Sequence, residues 1–182
     1  NMRRIEYLSG SWEFHEVGSE EWKNGWVPGC VQLDFLRSAD LKDPFHRLNE
    51  FQTYALEGKD WVYRKKFRLS AEDVRSQFIR LVFEGIDTYA DVYLNGQHLG
   101  KTENMFMPYV YDVKKLVRTG ENTVEVHLKS IVKTIKQMER DSPFKLQSSC
   151  ESARPYVRKA QYAFGWDWGP RIVQIGVCRP VY

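Results

Sequence analysis

Three separated stretches of this chain alternate large apolar and polar side chains at a period of two. That pattern restricts what its 182 residues can build more than any other feature. Successive side chains of a strand point to opposite faces, so in Trp61–Leu69 the residues Trp61, Tyr63, Phe67 and Leu69 share one face, and Arg64, Lys66 and Arg68 the other. Phe78–Glu84 repeats the device with Ile79, Leu81 and Phe83 inward. Thr123–Lys129 does so with Val124, Val126 and Leu128 inward and Glu125, His127 and Lys129 outward. Between them, Asn95-Gly96 within Ala90–Gly100 accommodates positive φ at both central positions of a two-residue turn, which predicts a type I′ hairpin. Thr119–Asn122 predicts a turn before a strand, and Arg171–Val181 reads as a last strand closed by Arg179-Pro180.

Helical spacing is confined to Val31–Ala39, after Pro28-Gly29, and to Ser130–Arg140. In the second, Ile131, Ile135 and Met138 recur at helical spacing, Lys133, Lys136 and Arg140 face outward, and the basic end suits a helix C-terminus. Strands outnumber helices, and turn signals recur at the spacing of an antiparallel two-sheet domain. The expectation is an all-β jelly-roll β-sandwich with one or two short helices. The length fits a single domain, taken as 2–182, with Asn1 read as a foreign residue ahead of a natural start at Met2.

Composition removes several classes of function. Lys and Arg number 27 against 24 Asp and Glu, a net charge of +3, too balanced for a polyanion-binding domain read from charge alone. Lys65, Lys66 and Arg68 lack stacking aromatics on their own side, so they read as a solvated strand face and not a nucleic-acid track. With no run of about 18 apolar residues, no membrane span is expected, and Asn1-Met2-Arg3-Arg4 has no apolar stretch behind it to form a secretory signal. Three cysteines, Cys30, Cys150 and Cys178, form no C-x-x-C pair, and no Asn-x-Ser/Thr sequon is present. Three reduced thiols are expected, which favours a cytoplasmic setting. His15, His46, His98 and His127 are scattered, and Gly96 and Gly100 belong to the hairpin, not a phosphate loop. Neither metal nor cofactor is expected.

Residues 141–160 have no clean period and read as a long excursion, the kind of loop that in a compact domain is usually functional or disordered. It leads into the densest aromatic cluster, Arg158 to Arg171, where Trp166 and Trp168 flank Asp167 between Gly165 and Gly169-Pro170. In a strand the indoles would point one way and the carboxylate the other; the flanking Gly and Pro equally allow a looped presentation. Indole faces pack on the apolar C–H faces of a pyranose, and a carboxylate accepts hydrogen bonds from its hydroxyls. Two core tryptophans beside a turn-forming Asp satisfy the same pattern, and Trp is more often a packing residue.

Pro155-Tyr156-Val157-Arg158-Lys159, Gln161-Tyr162 and Phe164-Gly165-Trp166-Asp167-Trp168-Gly169-Pro170 resemble the N-terminal sugar-binding, galactose-binding-domain-like domain of the β-mannosidases. These belong to glycoside hydrolase family 2, the retaining glycosidases that also include β-galactosidases and β-glucuronidases. Further stretches agree in order along the chain, among them Val27-Pro28-Gly29, Asp43-Pro44-Phe45, Phe83–Ala90, Val92-Tyr93-Leu94-Asn95-Gly96 and Asn104-Met105-Phe106. The Trp-Asp-Trp-Gly-Pro segment is specific to the mannosidase branch, whereas the Leu-Asn-Gly hairpin is common to the wider family. Cys30 and Cys178 depart from the residues usual in the family at their positions.

The resemblance implies the substrate-binding domain of a retaining exo-β-mannosidase that hydrolyses terminal β-D-mannosides. Immunoglobulin-like and TIM-barrel domains would follow, and the barrel would carry the catalytic glutamates. No catalytic residue is then expected in these 182 residues. Asp167 is expected to contact sugar hydroxyls, with Trp166 and Trp168 as walls. Arg158 or Lys159 would orient Asp167 or bond a hydroxyl, and Asn104 would add a contact, although a surface ion pair and a turn-forming Asn explain these last residues as well. The implied partners are a β-mannoside or oligosaccharide and the later domains of the same chain. Rival readings are a stand-alone carbohydrate-binding module and a structural domain of a related β-glycosidase.

Overall fold

The computed structural model describes residues 4–182, so the reading of Met2 as the natural start lies outside the described residues. Eight strands form: β1 (Gly10–Glu16), β2 (Lys23–Val27), β3 (Trp61–Leu69), β4 (Arg80–Phe83), β5 (Ala90–Leu94), β6 (Gln97–Thr102), β7 (Tyr109–Asp112) and β8 (Gly120–Leu128). Six of them make an antiparallel sheet in the order β2-β1-β3-β8-β5-β6, and β4 pairs with β7 in the facing layer. The expected all-β sandwich is present, and all three alternating stretches sit as expected. Trp61, Tyr63, Leu81, Phe83, Val124, Val126 and Leu128 are buried, while Lys66 and Arg68 are exposed. Asn95 and Gly96 take φ of 51° and 80°, the two left-handed residues that a type I′ turn requires.

Several elements differ from the expectation. The hairpin β1–β2 is not evident in the sequence. In β1 only Trp12 and Phe14 mark the inward face, and in β2 an inward position is Gly25. A Cβ there would come within 3.0 Å of Asp34, Phe14 and Tyr63, so packing removes the residue that would have shown the period. Helices α1 (Val31–Arg37) and α4 (Ile131–Asp141) answer the two expected ones, and Ser130 caps α4 by accepting from the Lys133 amide. Two further short helices occur, α2 (Tyr54–Glu57) and α3 (Ala71–Arg75), the latter closed by a Ser70–Asp73 capping box.

The expected last strand, Arg171–Val181, is corrected to an irregular thread. Val173, Ile175, Val177 and Val181 are buried in strand-like alternation, yet Cys178 and Arg179 both donate to the Gly85 carbonyl, at 3.1 and 3.3 Å. Two amides on one carbonyl break the ladder in the way a bulge does. The thread nonetheless ties the second layer together. Gly176 and Asp87 exchange reciprocal bonds of 2.8 and 3.0 Å, Tyr182 pairs with Val82, and Gly29 and Val31 donate to Val177 and Ile175.

The core between the layers is strongly aromatic. Phe14 stacks on Tyr63 at 5.1 Å, and Phe35 of α1 meets Trp61 edge-on at 5.5 Å. The outer face of the large sheet carries ion pairs such as Arg64–Glu13 at 2.9 Å, consistent with a solvated face.

Candidate functional site

The excursion after α4 is held by short irregular turns. Arg154–Tyr156 forms a single 3-10 turn, and a second at Gln161–Phe164 buries Ala163 and Phe164 while leaving Tyr162 exposed. Gly165 then takes a φ of 89°, which a side chain rarely tolerates, and redirects the chain outward. Trp166 and Gly169 exchange backbone bonds of 3.4 and 3.3 Å, closing a two-residue turn with Asp167 and Trp168 at its tip. Of the two presentations compatible with the sequence, the loop is the one adopted.

The turn is fully presented to solvent. Trp168 is 79% exposed and Trp166 44%, with ring centroids 5.6 Å apart and tilted by 54°. Asp167 is exposed, and its carboxylate makes no hydrogen bond or ion pair among the described residues. A core role for the two tryptophans is therefore excluded in this chain. An unpaired carboxylate between two indole faces can accept hydrogen bonds from a ligand's hydroxyls while the rings meet its apolar faces.

The base of the turn is held by ion pairs to two other parts of the fold. Arg171 donates to both carboxylate oxygens of Glu57, at 2.8 and 2.6 Å, and through two nitrogens to one oxygen of Glu151, at 2.9 and 2.8 Å. Its backbone N–H donates to Glu50 at 2.9 Å, and its guanidinium lies 4.9 Å from the centre of the Tyr54 ring. Burial pushes the Glu57 carboxyl above the ordinary carboxylate range, an effect that Arg171 partly offsets. Burial disfavours the charge on Arg171, but its carboxylate partners outweigh it and hold its proton more tightly than usual. On the other side, the Arg154 guanidinium lies 5.7 Å from the Trp166 ring.

The remaining expected residues divide. Asn104 and Arg158 are brought together by a parallel bridge, in which the Met105 amide donates to the Arg158 carbonyl at 3.0 Å. Arg158 is exposed, and the Asn104 side-chain oxygen accepts from the Phe106 amide at 2.9 Å, the turn-forming use of this residue. The expectation for Lys159 is corrected. Its side chain points inward, 1% exposed, and its ammonium is held by Asp87 and by the Gln174 carbonyl at 3.0 Å. A lysine so buried persists by pairing, so it orients neither Asp167 nor a ligand on the exposed turn. Nor are all the acids surface charges. Asp87 is buried with Lys159, and Asp34 accepts from the Tyr63 hydroxyl at 2.5 Å, the Trp26 amide at 3.0 Å and Arg37 at 3.1 Å.

Sequence reasoning missed the Arg171 cluster. Arg171 stands in the Trp-Asp-Trp run, but its partners lie 20 to 121 positions away and no spacing links them. The one available hint was that Glu50 and Glu57 lie in a stretch that no strand or helix period explained.

A two-layer antiparallel sandwich with functional residues on its loops is the architecture of galactose-binding-like domains. Residues 12–179 match the family described as "Glycosyl hydrolase 2 galactose-binding domain-like", and the chain belongs to that family. The chain is 34% identical over 182 residues to the beta-mannosidase of Capra hircus, covering 96% of this chain and 21% of that protein. It is 33% identical to a probable beta-mannosidase of Caenorhabditis elegans, covering 93% of this chain and 20% of that one. The crystal structure of the β-D-mannosidase of Dictyoglomus thermophilum superposes with a TM-score of 0.96 at 43% identity, over 98% of this chain and 22% of that one. The chain thus spans about a fifth of the length of these relatives.

Proposed function

We propose that this domain is the N-terminal substrate-binding domain of a retaining exo-β-mannosidase, and that Asp167 grips the terminal mannose of a β-linked substrate. The observation that carries the reading is the exposed, uncommitted Asp167 between Trp166 and Trp168 on an anchored turn, in a chain of this family. The reading is supported further by the 43% identity to a β-D-mannosidase over nearly the whole chain.

In this reading the chemistry belongs to a partner domain. Retaining glycoside hydrolysis uses two carboxyl groups about 5–5.5 Å apart, one as nucleophile and one as acid/base. The barrel expected to carry them needs about 250 residues, more than this domain has. This domain's own residues bind and orient. Trp166 and Trp168 wall the sugar and exclude water on one side. Asp167 accepts from hydroxyls of the non-reacting part of the ring, and its bonds strengthen as the water around it is displaced. Contacts remote from the scissile bond hold the ring in a distorted, reactive shape, so their loss is felt in turnover as well as in binding.

The test is Asp167→Ala in the full-length protein carrying this domain, assayed on an aryl β-mannoside. kcat/KM is expected to fall about 30- to 1,000-fold, the equivalent of about 2–4 kcal/mol for a charge-assisted contact closed off from water, with Tm unchanged because the side chain supports nothing in the fold. Undiminished kcat/KM in a folded variant removes Asp167 from the pocket.

A further inference from the structure

We infer that Arg171 is a positioning residue for Asp167: it clamps Glu57, Glu151 and Glu50 beneath the Trp-Asp-Trp turn and thereby fixes where the carboxylate stands. The inference rests on the proposed sugar-binding role of Asp167.

The turn has little of its own to hold it. Its two closing backbone bonds are long, at 3.3 and 3.4 Å, its tip residues Asp167 and Trp168 are exposed, and the preceding Gly165 takes a positive φ of 89°. Arg171 begins four residues after Asp167 and supplies what the turn lacks. Its side chain crosses to two other parts of the fold at once, Glu57 at the end of α2 and Glu151 in the excursion after α4, and its backbone N–H reaches Glu50. A planar guanidinium can hold two carboxylates in fixed directions, which an ammonium cannot. The same side chain also packs against the turn's hinge, because a Cβ on Gly165 would lie 3.2 Å from the Arg171 Cβ. Side-chain exposures of 21% for Arg171, 11% for Glu57 and 20% for Glu151 shield the cluster from solvent. That is the condition under which ion pairs keep their geometry instead of exchanging with water. Glu57 and Glu151 have no other ion-pair partner among the described residues, so Arg171 is the cation that holds both. The clamp therefore depends on the arginine specifically and loosens when its fork is lost.

The experiment is a double-mutant cycle in the full-length protein, with kcat/KM for an aryl β-mannoside, Tm and the near-ultraviolet circular dichroism of the Trp166–Trp168 pair as readouts. Arg171→Lys keeps the charge and removes the fork, and it is the variant expected to stay folded. It should lower kcat/KM about 10- to 100-fold, the scale of a reacting group displaced by about 1 Å. It should also alter the coupled indole signal while Tm moves by only a few degrees. In the Asp167→Ala background the same substitution should change kcat/KM less than threefold, because a residue acting through Asp167 has nothing left to position. Glu151→Gln should give a smaller loss of the same kind. Multiplicative losses in the double variant, or an Arg171→Lys enzyme with unchanged kcat/KM, overturn the inference while leaving the role of Asp167 standing. An Asp167→Ala enzyme with full activity overturns both.

Discussion

Lys159, Asp34 and Asp87 are buried in the fold, and each is surrounded by specific partners instead of water. None of this is visible at the scale of the single residue, because a lysine in Arg158-Lys159 looks like any surface lysine until the chain 72 positions away delivers Asp87. Asp167 is the opposite case: its proposed role came from the resemblance to the β-mannosidases, since its two neighbours taken alone fit a pair of core tryptophans beside a turn equally well. The thiols give two predictions at this scale. Burial pushes Cys30 and Cys178 from near 9.0 up to about 11, and Cys150 is exposed. At pH 8 a thiol reagent should therefore label Cys150 within minutes and leave the other two until denaturant is added; rapid labelling of all three contradicts the burial. The same shifts make stability fall with alkali. The folded chain keeps these protons, and those of Tyr89 and Tyr111, raised by burial to about 12, when the unfolded chain has lost them. Between pH 9 and 11 the unfolded state then binds fewer protons, and stability declines as pH rises. Thermal melts should show Tm falling as pH rises across that interval.

Elements were legible where every inward position carries a side chain. β3, β4 and β8 could be read because Trp61, Tyr63, Leu81, Phe83, Val124, Val126 and Leu128 mark the period, even though Lys65 takes an inward position of β3. β2 could not, since Gly25 stands where a neighbouring carboxylate and two rings leave no room. The C-terminal thread alternates like a strand but yields to long-range packing. Gly176 sits so close to α1's entry that an added Cβ would meet the Cys30 Cα and the Gly29 carbonyl, each at 2.6 Å. Gly176→Ala should accordingly destabilise the domain by about 1–3 kcal/mol through forced backbone shifts. That corresponds to a fall in Tm of about 2–4 °C per kcal/mol for a domain of this size. Gly169→Ala is the control, since nothing lies within 4 Å of its Cβ position. Equal Tm for the two variants contradicts the close approach.

For the whole molecule, the strand order β2-β1-β3-β8-β5-β6 and the pairing of residues 173–182 along the second layer join segments far apart in the chain. Sheet order depends on which long-range pairings coexist, and local alternation carries no information about that, so the Arg171 cluster stayed hidden while the sandwich did not. Large apolar side chains remain exposed on several loops. Phe45 and Phe144 are as open as Trp168. A pocket with one wall binds weakly, and the 182-residue chain alone should show no β-mannosidase activity and no more than millimolar affinity for a β-mannoside by NMR shift mapping.

Hydrogen exchange of the full-length protein with and without a mannose-configured inhibitor tests the central claim most directly. The amides of Trp166 to Gly169 have long or absent backbone bonds in the free domain, so they are expected to exchange fast and have room to slow. Inhibitor should slow exchange across Gly165–Gly169 in the wild type and not in Asp167→Ala. Inhibitor that protects other segments of the wild type and leaves this turn unchanged would contradict the claim.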